Sequence, residues 1–244
     1  MSTLKSNVIE PATGTDLSLG AVGDNVTVSS DSLQNNVWKD AGANALFTSN
    51  GSGVLSGVNA GFGGSQVLLS TQTASSSASL SFTSGIDSTY KEYVFEFITV
   101  NAATDGTQFT FQCSTDGGSN YNVTMTTTYF TAWHDEGDSQ TGLGYDGSKD
   151  QAQGTAYQTL TQATGSGADE CLAGELHLFN PSSTTYVKNW YATISDYDEG
   201  NTTAGREVNT FPAGYFNTTT ALNAIQFKMA SGNFDGTIKM YGIK

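Results

Sequence analysis

Apolar residues recur at every second position in several short stretches, and that period of two constrains the fold before any other feature is weighed. Tyr93, Phe95 and Phe97 alternate with other residues, as do Phe109, Phe111 and Cys113, and Ile225, Phe227 and Met229. Successive side chains of an extended chain point to opposite faces of a sheet, so each triplet offers one face to a core. A fourth stretch is ambiguous, because Val187-Asn189-Tyr191 and Tyr186-Lys188-Trp190 interleave and each qualifies as the inward set. Strand signatures cover residues 78–83, 92–100, 108–114, 121–131, 155–161, 171–179, 185–194, 221–229 and 237–243. Turn formers separate them, notably Thr115-Asp116-Gly117-Gly118-Ser119-Asn120 and Asn180-Pro181-Ser182-Ser183.

Composition agrees with this reading. Ser and Thr make up 61 of 244 residues and Gly 28, while Pro is limited to Pro11, Pro181 and Pro212. β-Branched Thr suits the solvent face of a pleated strand and helix formers are thin, so almost no helix is expected. Strands at this spacing predict two sheets packed face to face in an antiparallel, jelly-roll-like sandwich. The 13 Phe, 11 Tyr and 3 Trp supply the apolar area for its core.

The texture of the chain changes near residue 75. Residues 1–38 hold strand-like pieces of a few residues each, too short to offset backbone ordering entropy alone, so this segment reads as an extended β arm that needs another chain to pack against. Its apolar points are Val8, Ile9, Leu17, Leu19, Val26 and Val28, the expected attachment and oligomerisation contacts. Residues 39–75 are dominated by small residues and read as a connector with short strands, and 76–244 as the sandwich.

Charge removes several functions. With 9 Lys+Arg against 23 Asp+Glu the formal charge is −14, which repels phosphate backbones and excludes a nucleic-acid binder. No apolar run approaches the roughly 20 residues of a membrane helix, and the opening residues lack the apolar core of a secretory signal, so neither membrane insertion nor classical export is expected. His134 and His177 are not spaced from Cys113, Cys171 or each other as ligands of one metal. The common nucleophile, phosphate-loop and metalloprotease motifs are missing, so no catalytic residue, metal or cofactor is expected. Cys113 reads as a buried thiol, a disulfide to Cys171 being allowed by number alone, and His177 as the solvent-side member of a strand between Leu176 and Leu178.

The longest interruption between predicted strands runs from Ala132 to Asp150. It combines Trp133, His134 and Tyr145 with the carboxylates Asp135, Glu136, Asp138, Asp146 and Asp150. Exposed rings beside hydrogen-bonding acids suit a sugar, whose apolar face stacks on a ring while its hydroxyls bind carboxylates, so a glycan or receptor contact through Trp133, His134, Asp135, Glu136, Asp138, Tyr145 and Asp146 is one reading of this segment. The same acids offer oxygen ligands to Ca²⁺, without the spacing of an EF-hand, and a solvated loop at a subunit contact is the reading placed ahead of both. A glycosidase pair would need one carboxyl raised by burial, and nothing in the sequence indicates a buried acid.

The run from Ile9 to Val28 has the pattern Ile-x-Pro-x-x-Gly-Thr-x-Leu-x-Leu-Gly-x-x-Gly-Asp-x-Val-x-Val. It resembles the N-terminal arm of tail-fibre and appendage proteins of bacteriophages, marine ones especially. Ser114-Thr115-Asp116-Gly117-Gly118-Ser119-Asn120-Tyr121 and the closing Gly236-Thr237-Ile238-Lys239-Met240-Tyr241-Gly242-Ile243-Lys244 resemble a β-sandwich domain of predicted virion proteins from the same phages. The resemblance implies an arm that intertwines as a homotrimer or docks on other virion proteins, with the sandwich displayed on the particle exterior after synthesis in the host cytoplasm. One arm unit stands here where a long fibre has a repeated shaft, which leaves fibre, adaptor and capsid decoration open.

Overall fold

A computed structural model describes residues 37–39, 45–49, 55–56, 58, 64–198 and 205–244. The predicted attachment contacts Val8, Ile9, Leu17, Leu19, Val26 and Val28 lie outside the described residues. The chain divides into two compact units, Met1–Phe62 and Gly63–Lys244. In the first, β1 (Val37–Lys39), β2 (Ala45–Ser49) and β3 (Leu55–Ser56) form an antiparallel sheet in that order. Trp38 lies opposite Phe47, and their rings stack at 5.8 Å.

The second unit is all-β, as its alternation requires. Its strands are β4 (Gln66–Ser77), β5 (Leu80–Phe82), β6 (Glu92–Ala102), β7 (Phe109–Ser114), β8 (Met125–Thr128), β9 (Phe130–Asp135) and β10 (Thr141–Tyr145), followed by β11 (Gln158–Thr159), β12 (Leu172–Phe179), β13 (Lys188–Asp198), β14 (Arg206–Thr210), β15 (Ala213–Phe216), β16 (Ala224–Met229) and β17 (Phe234–Ile243). A large sheet of ten strands runs β10-β9-β14-β13-β12-β6-β17-β4, with β15 beside the first half of β13 and β8 beside β15. A small sheet of four runs β11-β7-β16-β5. Every pairing is antiparallel, and the two sheets share one core. The unit thus takes in Gln66–Ser77, most of which falls in the segment whose small-residue composition reads as a connector.

The period-two stripes meet in that core. Tyr93, Phe95 and Phe97 come from the large sheet, and Phe109, Phe111, Cys113, Ile225, Phe227 and Met229 from the small one. Phe227 sits at the centre, with the rings of Phe95, Phe97, Phe109 and Phe111 between 5.2 and 6.2 Å away. Each such side chain contributes about 1.5–3 kcal/mol by leaving water, and well-set aromatic pairs add about 0.5–1.5 kcal/mol. The fourth stretch resolves in favour of Trp190, whose ring lies 4.7 Å from Phe111, and this puts Lys188 on the buried face as well. Its Nζ donates to Thr218 O at 3.0 Å, and burial lowers its pKa.

Several predicted strands are shorter or divided. Residues 121–131 split into β8 and β9 on either side of the buried Tyr129, and residues 155–161 contribute only β11. The predicted turns hold: Gly117 and Gly118 take φ of 72° and 89°, and Ser183 N donates to Asn180 O at 3.0 Å. Asp116 fixes the first of these turns by accepting from Ser114 Oγ, Asn120 Nδ2 and Asn120 N, which holds its pKa down at about 2.

Candidate functional site

Two inserted pieces of chain, β8–β10 and β13–β15, pair with each other and extend the large sheet past β12. This wing contains the residues from Ala132 to Asp150. They form no open loop: β9 and β10 are a hairpin, and their register places Trp133 opposite Gly142 and Phe130 opposite Tyr145. Strand alternation then separates the predicted site residues. Phe130, Ala132, His134, Leu143 and Tyr145 share the outer face, while Thr131, Trp133 and Asp135 point to the face that continues the core side.

Most of the acids in the hairpin serve its turns. Asp135 is buried, and its carboxylate accepts from Ser139 Oγ, Ser139 N (2.8 Å) and Gln140 N (2.9 Å), which holds its pKa below the ordinary value. Asp146 accepts from Ser148 Oγ at 2.6 Å and Ser148 N at 2.9 Å and is held low for the same reason. Asp150 accepts from Tyr145 Oη, a bond that raises the pKa of the phenol. Asp138 stands 3.1 Å from His134 Nε2 at the exposed tip, and Glu136 donates its backbone N–H to Gly205 O. Of the seven predicted contact residues, His134 and Tyr145 therefore share a face, Trp133 is turned away from them, and the turns that follow Asp135 and Asp146 occupy both oxygens of the first and Oδ1 of the second.

The outer face of the large sheet holds a second group that the sequence did not single out as a site. His177 lies on this face as alternation predicts, yet it is largely covered. Its Nδ1 meets Glu92 Oε1 at 2.6 Å, its Nε2 lies 3.1 Å from Glu175 Oε1, and its ring stacks on Tyr191 at 4.6 Å and 11°. Beside this group a groove of about 730 Å³ is lined by Glu96, Ile98, Ala173, Glu175, Thr193 and Ser195. Its floor is bent by a bulge between Leu172 and Gly174, where φ is +155° and a Cβ would stand 2.3 Å from Thr193 O, so only glycine fits. The bulge sits where Cys171-Leu172-Ala173-Gly174 reads as ordinary strand, and the carboxylates come from two strands far apart in sequence, so no local motif announces them.

Besides Asp135, the acids Glu170, Asp196 and Asp198 are buried after all, and one of them is held without a counter-charge on its free oxygen. Asp196, on the core side of β13, is fully buried, and desolvation raises its pKa to about 8. Thr164 Oγ1 donates to its Oδ2 at 3.1 Å, and its Oδ1 has no hydrogen-bond partner. Two residues on, Asp198 takes Arg206 Nε at 3.0 Å and Arg206 Nη2 at 2.5 Å. The alternation Ser195-Asp196-Tyr197-Asp198 resembles a solvated acidic turn, and only the register with β14 shows that the two Asp face inward.

Cys113 and Cys171 are free thiols, the first sealed in the core and the second at the rim of the groove. Among the described residues no group of three or more His, Cys, Asp or Glu is arranged to hold a metal ion, and no helix is long and apolar enough to cross a membrane. No known protein family, curated protein or solved structure matches the chain.

Proposed function

We propose that this chain is a bacteriophage virion structural protein, a short oligomeric appendage whose residues 1–38 attach to the particle and whose sandwich is displayed outward. The observation that carries the reading is the order of the strands. Setting the wing aside, β4-β17-β6-β12 face β5-β16-β7-β11, and the chain alternates between the two sheets from β4 to β7 and again from β11 to β17. That order is what a jelly roll of two Greek keys would give, an architecture of viral capsid and lectin domains, and so supports the proposal. The arm pattern from Ile9 to Val28 supports the same assignment from the other end of the chain. A fold by itself carries no ligand, so host contact is assigned from the surface. The outer face of the large sheet, with Tyr145 and Tyr191 exposed and Glu96 and Glu175 in the groove, is the face suited to a neutral glycan.

The test is assembly. Phage particles carrying the chain without residues 1–38 should lack the protein, while the truncated chain purified alone keeps its β circular dichroism. Normal incorporation of the truncated chain defeats the proposal. Gold labelling of intact particles separates a tail appendage, with label at one vertex, from capsid decoration, with label over the whole head.

A further inference from the structure

Among the described residues five strands edge the two sheets, and they differ in how they are protected: β8, which pairs only with β15, has its other side covered by backbone bonds of Met125 and Thr127 to Gly154 and Gln151. In the small sheet β11 has two residues and β5 three. In the large sheet β4 meets β17 through two register shifts, and Ser76 near its end takes a left-handed φ of 47°. Short length and bulges are common ways of blunting an edge. The remaining edge of the large sheet, β10, has neither: its five residues pair with β9 in unbroken register, without Pro or Lys.

The direction of its free backbone groups follows from the ladder. Asp135 N donates to Gln140 O, and Asp146 N to Tyr129 O, so Trp133–Gly142 and Thr131–Gly144 are the hydrogen-bonded pairs of this hairpin. Phe211 N bonding Phe130 O on the other side of β9 fits the same alternation. The N–H and C=O groups of Thr141, Leu143 and Tyr145 therefore point away from β9. On the outer face the side chains of the same strand leave Leu143 74% and Tyr145 59% exposed, next to Phe130 at 41%, whose ring stacks on Phe211 at 5.0 Å.

We infer that β10 pairs antiparallel with β10 of a second copy about a two-fold axis at Leu143. The three outward residues are symmetric about Leu143, so Leu143 meets Leu143 and Thr141 meets Tyr145, each with its donors and acceptors facing. The outer faces then join into one apolar stripe of Phe130 and Leu143 from both copies. On the other face Gly142 falls opposite Gly144, so no side chains of these strands collide.

Light scattering on the full-length chain and on Leu143→Pro and Leu143→Lys variants at one concentration tests this. Proline at 143 removes an N–H that β9 does not use, and lysine places a charge on the axis. The wild-type particle should have twice the mass of either variant, whatever the arm contributes, with circular dichroism unchanged. Any other ratio for a folded variant overturns the pairing. Amide exchange gives a second reading: the N–H groups of Thr141, Leu143 and Tyr145 should be protected in wild type and exchange freely in Leu143→Lys, while Gly142 and Gly144 stay protected in both. Free exchange at all three in the wild type also overturns it.

Discussion

Trp133 lies flat across Gly142, the residue directly opposite it on β10, so closely that a Cβ at position 142 would stand 2.1 Å from the indole Cζ2. The ring fills the space a side chain would take, and it packs β9 against the edge strand β10. Gly142→Ala should displace the indole and cost about 1–3 kcal/mol, the usual penalty of overpacking. Gly144→Ala, whose Cβ would lie 4.0 Å from the ring, should be nearly neutral. Urea unfolding of both variants with tryptophan emission as the probe checks the contrast; equal stabilities would show that the indole moves aside freely.

Asp196 ties stability to pH. Its pKa is about 8 in the folded chain against 3.8 for the free group, so between those values the folded state holds a proton that the unfolded state has released. Stability is therefore highest below pH 3.8 as far as this group is concerned, declines as pH rises, and levels off above about pH 8, with a slope of about 1.4 kcal/mol per unit at most. Asp196→Asn cannot ionise, and its stability relative to wild type should grow across that window. Unfolding curves at pH 4.5, 6, 7.5 and 9 would contradict this if the difference between the two proteins stayed constant.

Phe227 has aromatic neighbours from both sheets, so its loss leaves a cavity that neither can fill alone. Phe227→Ala should destabilise by about 3–5 kcal/mol. The exposed Leu143→Ala, by contrast, should change the stability of a single copy by no more than about 0.5 kcal/mol. Chemical denaturation at low protein concentration distinguishes them, and a mild Phe227→Ala effect would mean the core relaxes more than its packing suggests.

The two thiols should react unequally. Cys113 is fully buried and desolvation pushes its pKa up, whereas Cys171 is partly exposed at the groove. The thiolate is the reacting form, so a disulfide reagent should modify one thiol per chain in buffer and two in guanidinium chloride. Modification of both at one rate in buffer would place Cys113 outside the core.

Much of the core was legible because its residues announce themselves twice, by size and by period. The Phe95, Phe111 and Phe227 stripes read from the sequence are the ones that face each other in the sandwich. Tyr186–Tyr191 was not resolvable, since both alternating sets carry aromatics and one carries a lysine; packing against Phe111 selects Trp190, and the carbonyl of Thr218 makes the burial of Lys188 tolerable. Thr141-Gly142-Leu143-Gly144-Tyr145 gave no strand signal, because glycine lacks the side chain that the pattern is read from. It is a strand because β9 pairs with it and Trp133 covers its glycines. The Ser/Thr-rich Gln66–Ser77 is a strand for a similar reason, its partner β17 lying at the far end of the chain.

The sequence by itself determined the all-β class, the inward stripes and the turns, since alternation and glycine or asparagine at left-handed positions act over a few neighbouring residues. Only the tertiary structure decided which acids are buried, which face each ring of the hairpin takes and where the groove opens. Asp196 is held neutral by segments from distant parts of the chain, and Glu92 meets His177 across 85 residues of sequence. Desolvation and register depend on such non-local neighbours, and no local spacing encodes them.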